Sequence, residues 1–393
     1  MNCDTSKIRF SILSISLLTL MAGAAVAPGL SELSRIFAGY SPTVVKLVIS
    51  LPPLLIIPFS LLSGFLSSLM GKKNLLITGL VVYLIGGAGA SFVDSLPLLL
   101  VFRAILGIGA GIILPLSTGL ITDFYYGDER AKMLGFSSAF NCLGTILANI
   151  AAGILVAINW HYIFYVYYLA VPVLLLAIPF IPVKTSPGRE TSHKVTVPNE
   201  LAYWAIAAFL TMLAFFAVVT NLSLLIDSRN LGGSQISGFM FALNSLCMLF
   251  AGAFFLTMQK KLKRLYAPCV LFLMAAGYAG LTMAGSLTLL IVSIIFSGLG
   301  TGLAFPFIMN QASQYAREDT SIVIMGIVSG CAFLGQFLSP IILDNIPVIA
   351  GNSLSNVFLI LASGVGILFA ISLIRSLRGG SGEEITIPGK IIE

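Results

Sequence analysis

A single arginine, Arg103, lies deep inside one of the long apolar stretches of this chain. It follows Leu96, the start of its stretch, by seven residues, a depth of about 10 Å in a helix that rises about 1.5 Å per residue. Because an arginine in hydrocarbon costs about 2.5–3.5 kcal/mol on insertion scales, we expect it to face a polar interior and to have a partner. Glu32 is the nearest carboxylate at a matching depth. The pattern predicts an Arg103–Glu32 charge pair that a bound proton or substrate would perturb; in the alternative, Arg103 bonds only backbone carbonyls and Glu32 stays in a loop with Arg35.

Amide side chains inside other apolar stretches form a second set of candidates. They are Asn141, Asn221, Asn244, Asn310, Gln311 and Gln336. A cavity lined by amides, aromatic rings and methionines, with few fixed charges, suits a neutral, amphipathic or weakly charged organic compound. In the alternative, each amide joins neighbouring helices, a contact worth about 0.6 kcal/mol. The acids Asp123, Asp227 and Asp344 stand at the ends of apolar stretches, where helix capping and headgroup contact account for them.

The residue patterns of enzymes and metal sites are missing from the sequence. It contains no His-Glu-x-x-His, no paired catalytic acids and no usable Ser-His arrangement. Its two histidines and five cysteines are scattered, without metal-ligand spacing. An ATP-binding loop of the type G-x-x-x-x-G-K-[ST] is also missing. We therefore expect no enzyme, no metal and no cofactor, and a proton gradient as the source of energy.

The composition requires a lipid environment for the elements that carry these residues. Of the 393 residues, 58% are hydrophobic and 9% charged, and the mean hydropathy is +1.03. Twelve apolar runs are long enough to cross about 30 Å of hydrocarbon as helices, and too long for barrel strands. We number them span 1 to span 12: 8–27, 44–69, 75–93, 96–122, 133–158, 162–181, 201–226, 236–258, 265–284, 287–309, 322–343 and 354–374. The chain is thus predicted to be an all-α polytopic membrane protein.

The basic residues predict the orientation in the membrane. With the N-terminus in the cytoplasm, 17 of the 21 lysines and arginines fall on the inner side. We expect a multi-pass protein of the cell membrane with both termini cytoplasmic. The net charge of +6 then indicates contact with anionic lipid headgroups and no role for nucleic acid. The sequence 25–27 resembles a signal-peptide cleavage site, but the run before it is long for a signal peptide and cleavage would leave an odd number of spans.

An internal repeat divides the chain into two similar halves. Span 4 carries Gly107, Gly109, Gly111 and Pro115, and span 10 carries Gly298, Gly300, Gly302 and Pro306, each 191 residues later. The same offset relates Gly144 to Gly335 in spans 5 and 11. Such glycines let helix backbones approach closely, as packing positions or as gates. We predict bundles of six helices at 1–183 and 201–376, a cytoplasmic loop at 184–200 and a cytoplasmic tail at 377–393.

These residues resemble the motifs of the major facilitator superfamily. After span 2 the family has a glycine, an acid four residues later, an arginine, and then a glycine with two basic residues. Here these positions hold Gly64, Ser68, Leu69, Gly71, Lys72 and Lys73. The acid and the first arginine are absent, so the charged latch that the acid forms in relatives is in doubt. Ser68 can hydrogen-bond but cannot form an ion pair.

Two further motifs extend the resemblance. The pattern Arg103, Gly107, Gly109 and Gly111 resembles the second motif of the family. Span 5 resembles the antiporter motif more loosely: it has Gly144, Ala148, Asn149, Ala152 and Gly153, with Asn149 in place of a proline, and its repeat partner in span 11 is Pro340. The resemblance implies two pseudo-symmetric six-helix bundles with a substrate site near the midplane between them.

The function that the resemblance implies is secondary transport of a small organic molecule by alternating access. The leading interpretation is proton-coupled efflux of drugs or metabolites by a monomer. An uptake symporter for a small nutrient is the alternative within transport. A membrane receptor is the alternative of another class. The two-half repeat argues against a receptor, because alternating access explains such a repeat and sensing does not require one.

Overall fold

The computed structural model describes residues 5–181, 199–315, 321–345 and 354–378. Within these residues the chain forms helices and the turns between them, without a strand. This confirms the predicted all-helical class. The predicted central loop 184–200 and tail 377–393 lie almost entirely outside the described residues, as do residues 1–4.

The N-terminal half contains spans 1 to 6. Span 1 is interrupted and comprises Thr5–Thr19, Met21–Ala24, the 3₁₀ turn Ala27–Gly29 and Leu30–Ile36. The next four are continuous helices: Pro42–Met70, Lys72–Ala88, Leu96–Phe124 and Gly127–Val156. Span 6 begins as the 3₁₀ helix Trp160–Leu169 and continues as the α-helix Ala170–Phe180.

The C-terminal half contains spans 7 to 12. These are the helices Asn199–Ser228, Ser234–Leu262, Tyr266–Met283, Leu287–Ser313, Ser321–Leu343 and Leu354–Arg378. Spans 2 and 8 both have 29 residues, and spans 5 and 7 both have 30. Helices of this length exceed the roughly 20 residues needed to cross a bilayer, so their ends reach beyond the hydrocarbon or they tilt.

Eleven segments of the described residues are long and apolar enough to cross a membrane. One of them, residues 234–283, has 50 residues and would measure about 75 Å as a straight helix, more than twice the hydrocarbon thickness. The chain breaks this segment at Lys263, whose φ of 46° is left-handed. Two helices result, spans 8 and 9, so the eleven segments contain helices for all twelve predicted spans.

Proline and glycine set several helix limits. Pro42 is the first residue of span 2, where its fixed φ suits a helix start. The N–H groups of a first helical turn have no acceptor within the helix, so proline loses no hydrogen bond there. Gly71 follows span 2 with a φ of 79°, which glycine adopts without strain, and Lys72 begins span 3 directly. In span 1, Pro28 lies in the 3₁₀ turn that interrupts the helix. Spans 2 and 3 therefore turn tightly at the predicted inner side, whereas span 1 bends near the predicted outer side.

The described helices pack in the same pattern in both halves. Span 4 packs against spans 2 and 3, as span 10 packs against spans 8 and 9. Span 1 packs against span 5, as span 7 packs against span 11. The halves meet most extensively through two helix pairs, span 2 with span 11 and span 5 with span 8, and span 1 adds contacts to spans 7 and 8. Two bundles with similar packing are what the 191-residue repeat predicts.

The glycines of span 4 permit its close approach to spans 2 and 3. A Cβ atom at Gly107 would lie 2.7 Å from the carbonyl oxygen of Pro52, and one at Gly109 would overlap the backbone nitrogen of Tyr83. A Cβ atom at Gly111 would lie 2.9 Å from span 2. No side chain fits in these places, so the backbones themselves are in contact, the packing mode that small residues provide in membranes.

Span 10 repeats these contacts in the C-terminal half. Cβ atoms at Gly298 and Gly302 would lie 2.9 Å and 2.6 Å from the backbone of span 8, and one at Gly300 would lie 2.8 Å from the backbone of span 9. A Cβ atom at Gly144 would overlap the backbone of span 1, and one at Gly335 would overlap the backbone of span 7. All these glycines face their own half, so their contacts agree with the packing interpretation; a gating role stays a prediction.

Two glycines of span 4 allow the packing role to be measured. We expect Gly107→Ala to destabilise the protein by about 1–3 kcal/mol, because the new methyl group collides with the backbone of span 2. Gly119→Ala, in the same helix, has no atom within 4 Å of the new Cβ and should be neutral or stabilising, since alanine favours helix by up to about 1 kcal/mol. Thermal unfolding of the purified protein in detergent measures both. Equal effects of the two substitutions would contradict this account.

Candidate functional site

The two halves are joined by polar contacts at one end of the bundle, the predicted outer end. Ser223 of span 7 donates a hydrogen bond to the carbonyl oxygen of Pro28 at 2.9 Å and lies 3.1 Å from the hydroxyl of Ser31, both in span 1. At the rim, Arg35 forms an ion pair with Asp227. Because these bonds cross from spans 1 to 7, they hold this end of the central seam closed.

A buried ion pair lies in the same seam. The Nζ atom of Lys46 in span 2 is 2.7 Å from Oδ1 of Asp344, which directly follows span 11. The two side chains are only 3% and 11% exposed. Lys46 also donates to Oδ1 of Asn221 in span 7 at 2.7 Å, and Thr43 donates to Asp344 at 3.2 Å. Three spans from two halves thus meet around one ammonium group.

The sequence interpretation missed this pair. Lys46 is not among the candidates from the sequence, and Asp344 was explained by its position at a helix end, but both lie in the interface between the halves. The available signal was that Lys46 falls inside the predicted run of span 2, where a lysine requires a partner. Its partner could not be found by spacing, because 298 residues separate the two.

The second crossing between the halves is made by glycine. A Cβ atom at Gly153 of span 5 would lie 2.7 Å from the carbonyl oxygen of Ser234 and 3.0 Å from Cα of Gly238, both in span 8. The carbonyl oxygen of Asn149 lies 2.6 Å from the Cβ position of Gly238. Of the residues in the predicted antiporter motif, Asn149 and Gly153 therefore do lie between the halves. The backbones of spans 5 and 8 are in contact here without any side chain between them.

A cavity of about 410 Å³ opens beside these contacts at the same end. Both halves line it, with Glu32, Arg35 and Trp160 from one and Asp227 and Ser234 from the other. Glu32 accepts from Arg35 at 3.5 Å, and its side chain is 42% exposed. Glu32 thus lies at a wet rim and not in the interior.

The hypothesis of an Arg103–Glu32 pair is wrong. Arg103 is completely buried inside the N-terminal half. It donates to the hydroxyl of Tyr167 at 3.0 Å and to the carbonyl oxygens of Gly87 and Gly86 at 3.2 Å and 3.4 Å. Its guanidinium also lies over the rings of Phe164 and Tyr167, at 4.9 Å and 4.8 Å from their centroids. Carbonyl dipoles and ring faces here replace the carboxylate. The alternative interpretation is confirmed for the backbone carbonyls and for the contact of Glu32 with Arg35, but it did not include Tyr167, and Glu32 lies in the helix Leu30–Ile36 and not in a loop.

The predicted cavity-lining amides have different surroundings. Asn221 is buried and binds Lys46, and Asn244 is buried and donates to the carbonyl oxygen of Ile294 at 3.4 Å, so neither lines an open cavity. Asn141 accepts a hydrogen bond from Thr19 in span 1. Asn310, Gln311 and Gln336 are partly buried, and for them the cavity role stays a prediction.

The interface of spans 1 and 5 carries a short ladder of neutral polar contacts. Ser16 and Ser137 share a hydrogen bond of 2.7 Å one turn away from the Thr19–Asn141 contact. These four side chains contribute no charge. The contact between these two helices is therefore polar but uncharged.

The protein-family model described as Major Facilitator Superfamily matches this chain over residues 12–340 and, in a second alignment, over residues 204–383. The chain belongs to the major facilitator superfamily. It is therefore a multi-pass membrane protein of this superfamily.

Individual relatives of this chain match over parts of their length. Multidrug resistance protein 3 of Bacillus subtilis is 35% identical over 119 residues, 30% of this chain and 23% of that protein. The uncharacterized transporter YebQ of Escherichia coli is 28% identical over 209 residues, 52% of this chain and 42% of that protein. The chain thus spans less than half of the length of these relatives.

Solved structures of other transporters share the fold. A D-xylose–proton symporter has a TM-score of 0.73 at 15% identity, with 94% of this chain and 97% of that chain covered. A bacterial homologue of the human lysosomal transporter Spinster, in an inward-facing and occupied conformation, has a TM-score of 0.71 at 11% identity, with 96% of both chains covered. At these identities the likeness concerns the fold alone.

The loop motif of the superfamily keeps a charge contact in this chain despite the missing acid. Lys72 forms an ion pair of 2.6 Å with Asp123 at the end of span 4. Ser68, at the acid's position, is exposed and donates to the carbonyl oxygen of Phe65 in its own helix. Lys73 is partly buried beside Lys72, and Gly64 has no atom within 4 Å of its Cβ position. Among these residues the charge contact therefore joins spans 3 and 4 within one half.

Arg103 offers a test of the ring-and-carbonyl site. We expect Arg103→Lys to lower stability by about 2 kcal/mol, because an ammonium group cannot cover two rings and reach three acceptors together. Arg35→Lys is the matched control; its side chain is 63% exposed, and the change should cost less than about 0.5 kcal/mol. Thermal unfolding in detergent distinguishes the two. A neutral Arg103→Lys variant would mean that the planar guanidinium is not needed.

Proposed function

We propose that this chain is a secondary active transporter that exports small amphipathic organic compounds in exchange for protons by alternating access. The observation that carries the proposal is the seam between two similar bundles, closed at one end by a few polar contacts. Polar contacts of this kind can be exchanged for contacts with water, so this end can open without leaving buried groups unpaired. The name of the Bacillus subtilis relative supports drug-like compounds as the substrate class.

The character of the interior supports neutral or weakly charged compounds. The contacts along spans 1 and 5 are made by hydroxyl and amide groups, and the buried Arg103 is enclosed by its own half. A polyanion would find no unpaired cation among these residues to compensate its charge. Apolar contact with oriented hydrogen bonds is how sites for such compounds bind them.

We infer that the protein uses a proton gradient and no bound cofactor or metal, and that it works as a monomer in contact with membrane lipids and without nucleic acid. Among the described residues, no group of three His, Cys, Asp or Glu side chains is placed to hold a metal ion. The excess of lysine and arginine on one side supports a cell-membrane orientation with cytoplasmic termini.

Flux measurements in inverted membrane vesicles test the proposal. The vesicle lumen corresponds to the cell exterior, so an acidic lumen should drive uptake of a neutral or singly charged fluorescent amphiphile. A protonophore should abolish the accumulation. Proton-driven movement in the opposite direction would instead identify an uptake symporter, and a protein that moves no amphiphile in either direction would contradict the proposed substrate class.

The glycine crossing gives a prediction for the transport cycle. We expect Gly153→Leu to fold but to transport about tenfold more slowly or less, because the side chain occupies the contact between spans 5 and 8. Ile154→Phe is the matched control, since it adds bulk at the next residue, whose side chain is 44% exposed. Initial rates of vesicle uptake, corrected for the amount of folded protein, measure both. Unchanged transport by Gly153→Leu would show that this contact does not need to close.

A further inference from the structure

The two crossings between the halves occupy equivalent places but differ in chemistry. Lys46 is the fifth residue of its helix, and Gly238 is the fifth residue of the equivalent helix. Asp344 follows Gly153 by 191 residues, the offset of the internal repeat. The repeat therefore places the Lys46–Asp344 ion pair where the other crossing has its Gly153–Gly238 backbone contact. One crossing can respond to a change of charge, and the other cannot.

We propose that Asp344 is a proton-binding site and that its protonation releases the Lys46–Asp344 pair, so that the predicted outer end opens. This inference rests on the proposed function, because it assigns one proton site within that transport cycle. The proton comes from water at this end and binds a carboxylate oxygen of Asp344. Lys46 keeps its charge throughout the step.

The geometry gives the reason for opening. In the closed seam the ammonium of Lys46 has two partners, the carboxylate of Asp344 and the amide oxygen of Asn221, both at 2.7 Å. When the carboxylate becomes neutral, a buried cation is left without a counter-charge, which is a strongly unfavourable arrangement. Water can solvate this cation only if spans 2 and 11 separate. Protonation therefore shifts the population toward the open state because the closed state has lost its ion pair.

Few other charges face Asp344. Span 11 packs against spans 2, 7 and 10. In span 2, Lys46 is the single charged residue, and span 10 has none between Leu287 and Ser313. At the same end of span 7, Asp227 is held by Arg35 at the exposed rim. Among the described residues of these spans, the charge that opposes Asp344 is that of Lys46.

Distances between two labels can report the state of this end. Tyr40 in the N-terminal half and Met283 in the C-terminal half are exposed at the predicted outer end, 46% and 75% respectively. Cysteines at these two positions, in a chain whose five native cysteines are replaced, would carry spin labels for pulsed electron paramagnetic resonance. The measurement needs neither substrate nor transport.

We expect acidic buffer to raise the ratio of long to short label distances about tenfold or more. Asp344→Asn should show the long distance at neutral pH as well, and it should lose the response to acid. Asp227→Asn is the matched control, because it removes the carboxylate of an exposed pair between the same halves and should keep the response. The double exchange Lys46→Asp with Asp344→Lys should restore the short distance at neutral pH.

An unchanged distance distribution in acid would overturn the inference, as would an acid response retained by Asp344→Asn. If Asp344→Asn does not fold, the acid response of the otherwise unaltered chain and the charge-exchanged variant decide the matter. Failure of the proton-binding role of Asp344 can be told apart from failure of the proposed function. A protein that still moves amphiphiles in vesicles but shows no acid-induced opening keeps its transport function and lacks this proton site.

Discussion

A charge inside hydrocarbon must find its partners within the protein, and this chain meets that requirement in two different ways. Arg103 is surrounded by carbonyl oxygens and ring faces of its own half, without a carboxylate. Lys46 is paired with a carboxylate from the other half. The first arrangement ties spans 3, 4 and 6 into one rigid bundle. The second depends on how the two bundles sit against each other.

The repeat shows that the buried arginine is not required by the packing of a bundle. Span 10 places Ile294 four residues before Gly298, as span 4 places Arg103 four residues before Gly107. Ile294 is also fully buried. The same helix position is thus filled by a hydrocarbon side chain in one half and by a cation in the other. Both halves keep the glycine contacts of spans 4 and 10, which supply the close helix packing.

The sequence is sufficient to predict the features that depend on local pattern. The spans follow from hydrophobic length, and the equivalence of the halves follows from glycines at a constant offset, such as Gly109 and Gly300. The site could not be predicted in the same way. Depth alone suggested Glu32 as the partner of Arg103, but depth says nothing about which helix faces lie together. Tyr167, the actual partner, was read as part of a plain apolar run.

The partners of Lys46 show the same limit more strongly. Asn221 and Asp344 belong to the other half, so they become neighbours of Lys46 only when spans 2, 7 and 11 meet. A pattern of spacing within one helix carries no information on such a meeting. What the sequence does provide is a lysine within an apolar run. Such a lysine indicates that it must have a polar or charged partner, without indicating which residue that is.

The placement of polar groups also bears on where the proposed motion can take place. Ser31, Ser223, Lys46 and Asp344 lie in the seam, and each can exchange its present partner for water when this end separates. Arg103 and the carbonyl groups that it binds have no such exchange available, since they are enclosed within one bundle. Separation along the seam would expose the polar groups of the seam to water, whereas separation of span 4 from span 3 would break the contacts of Arg103 inside one half. The alternating-access cycle proposed here is therefore expected to move the halves as units along the seam, where water can replace the protein's own contacts.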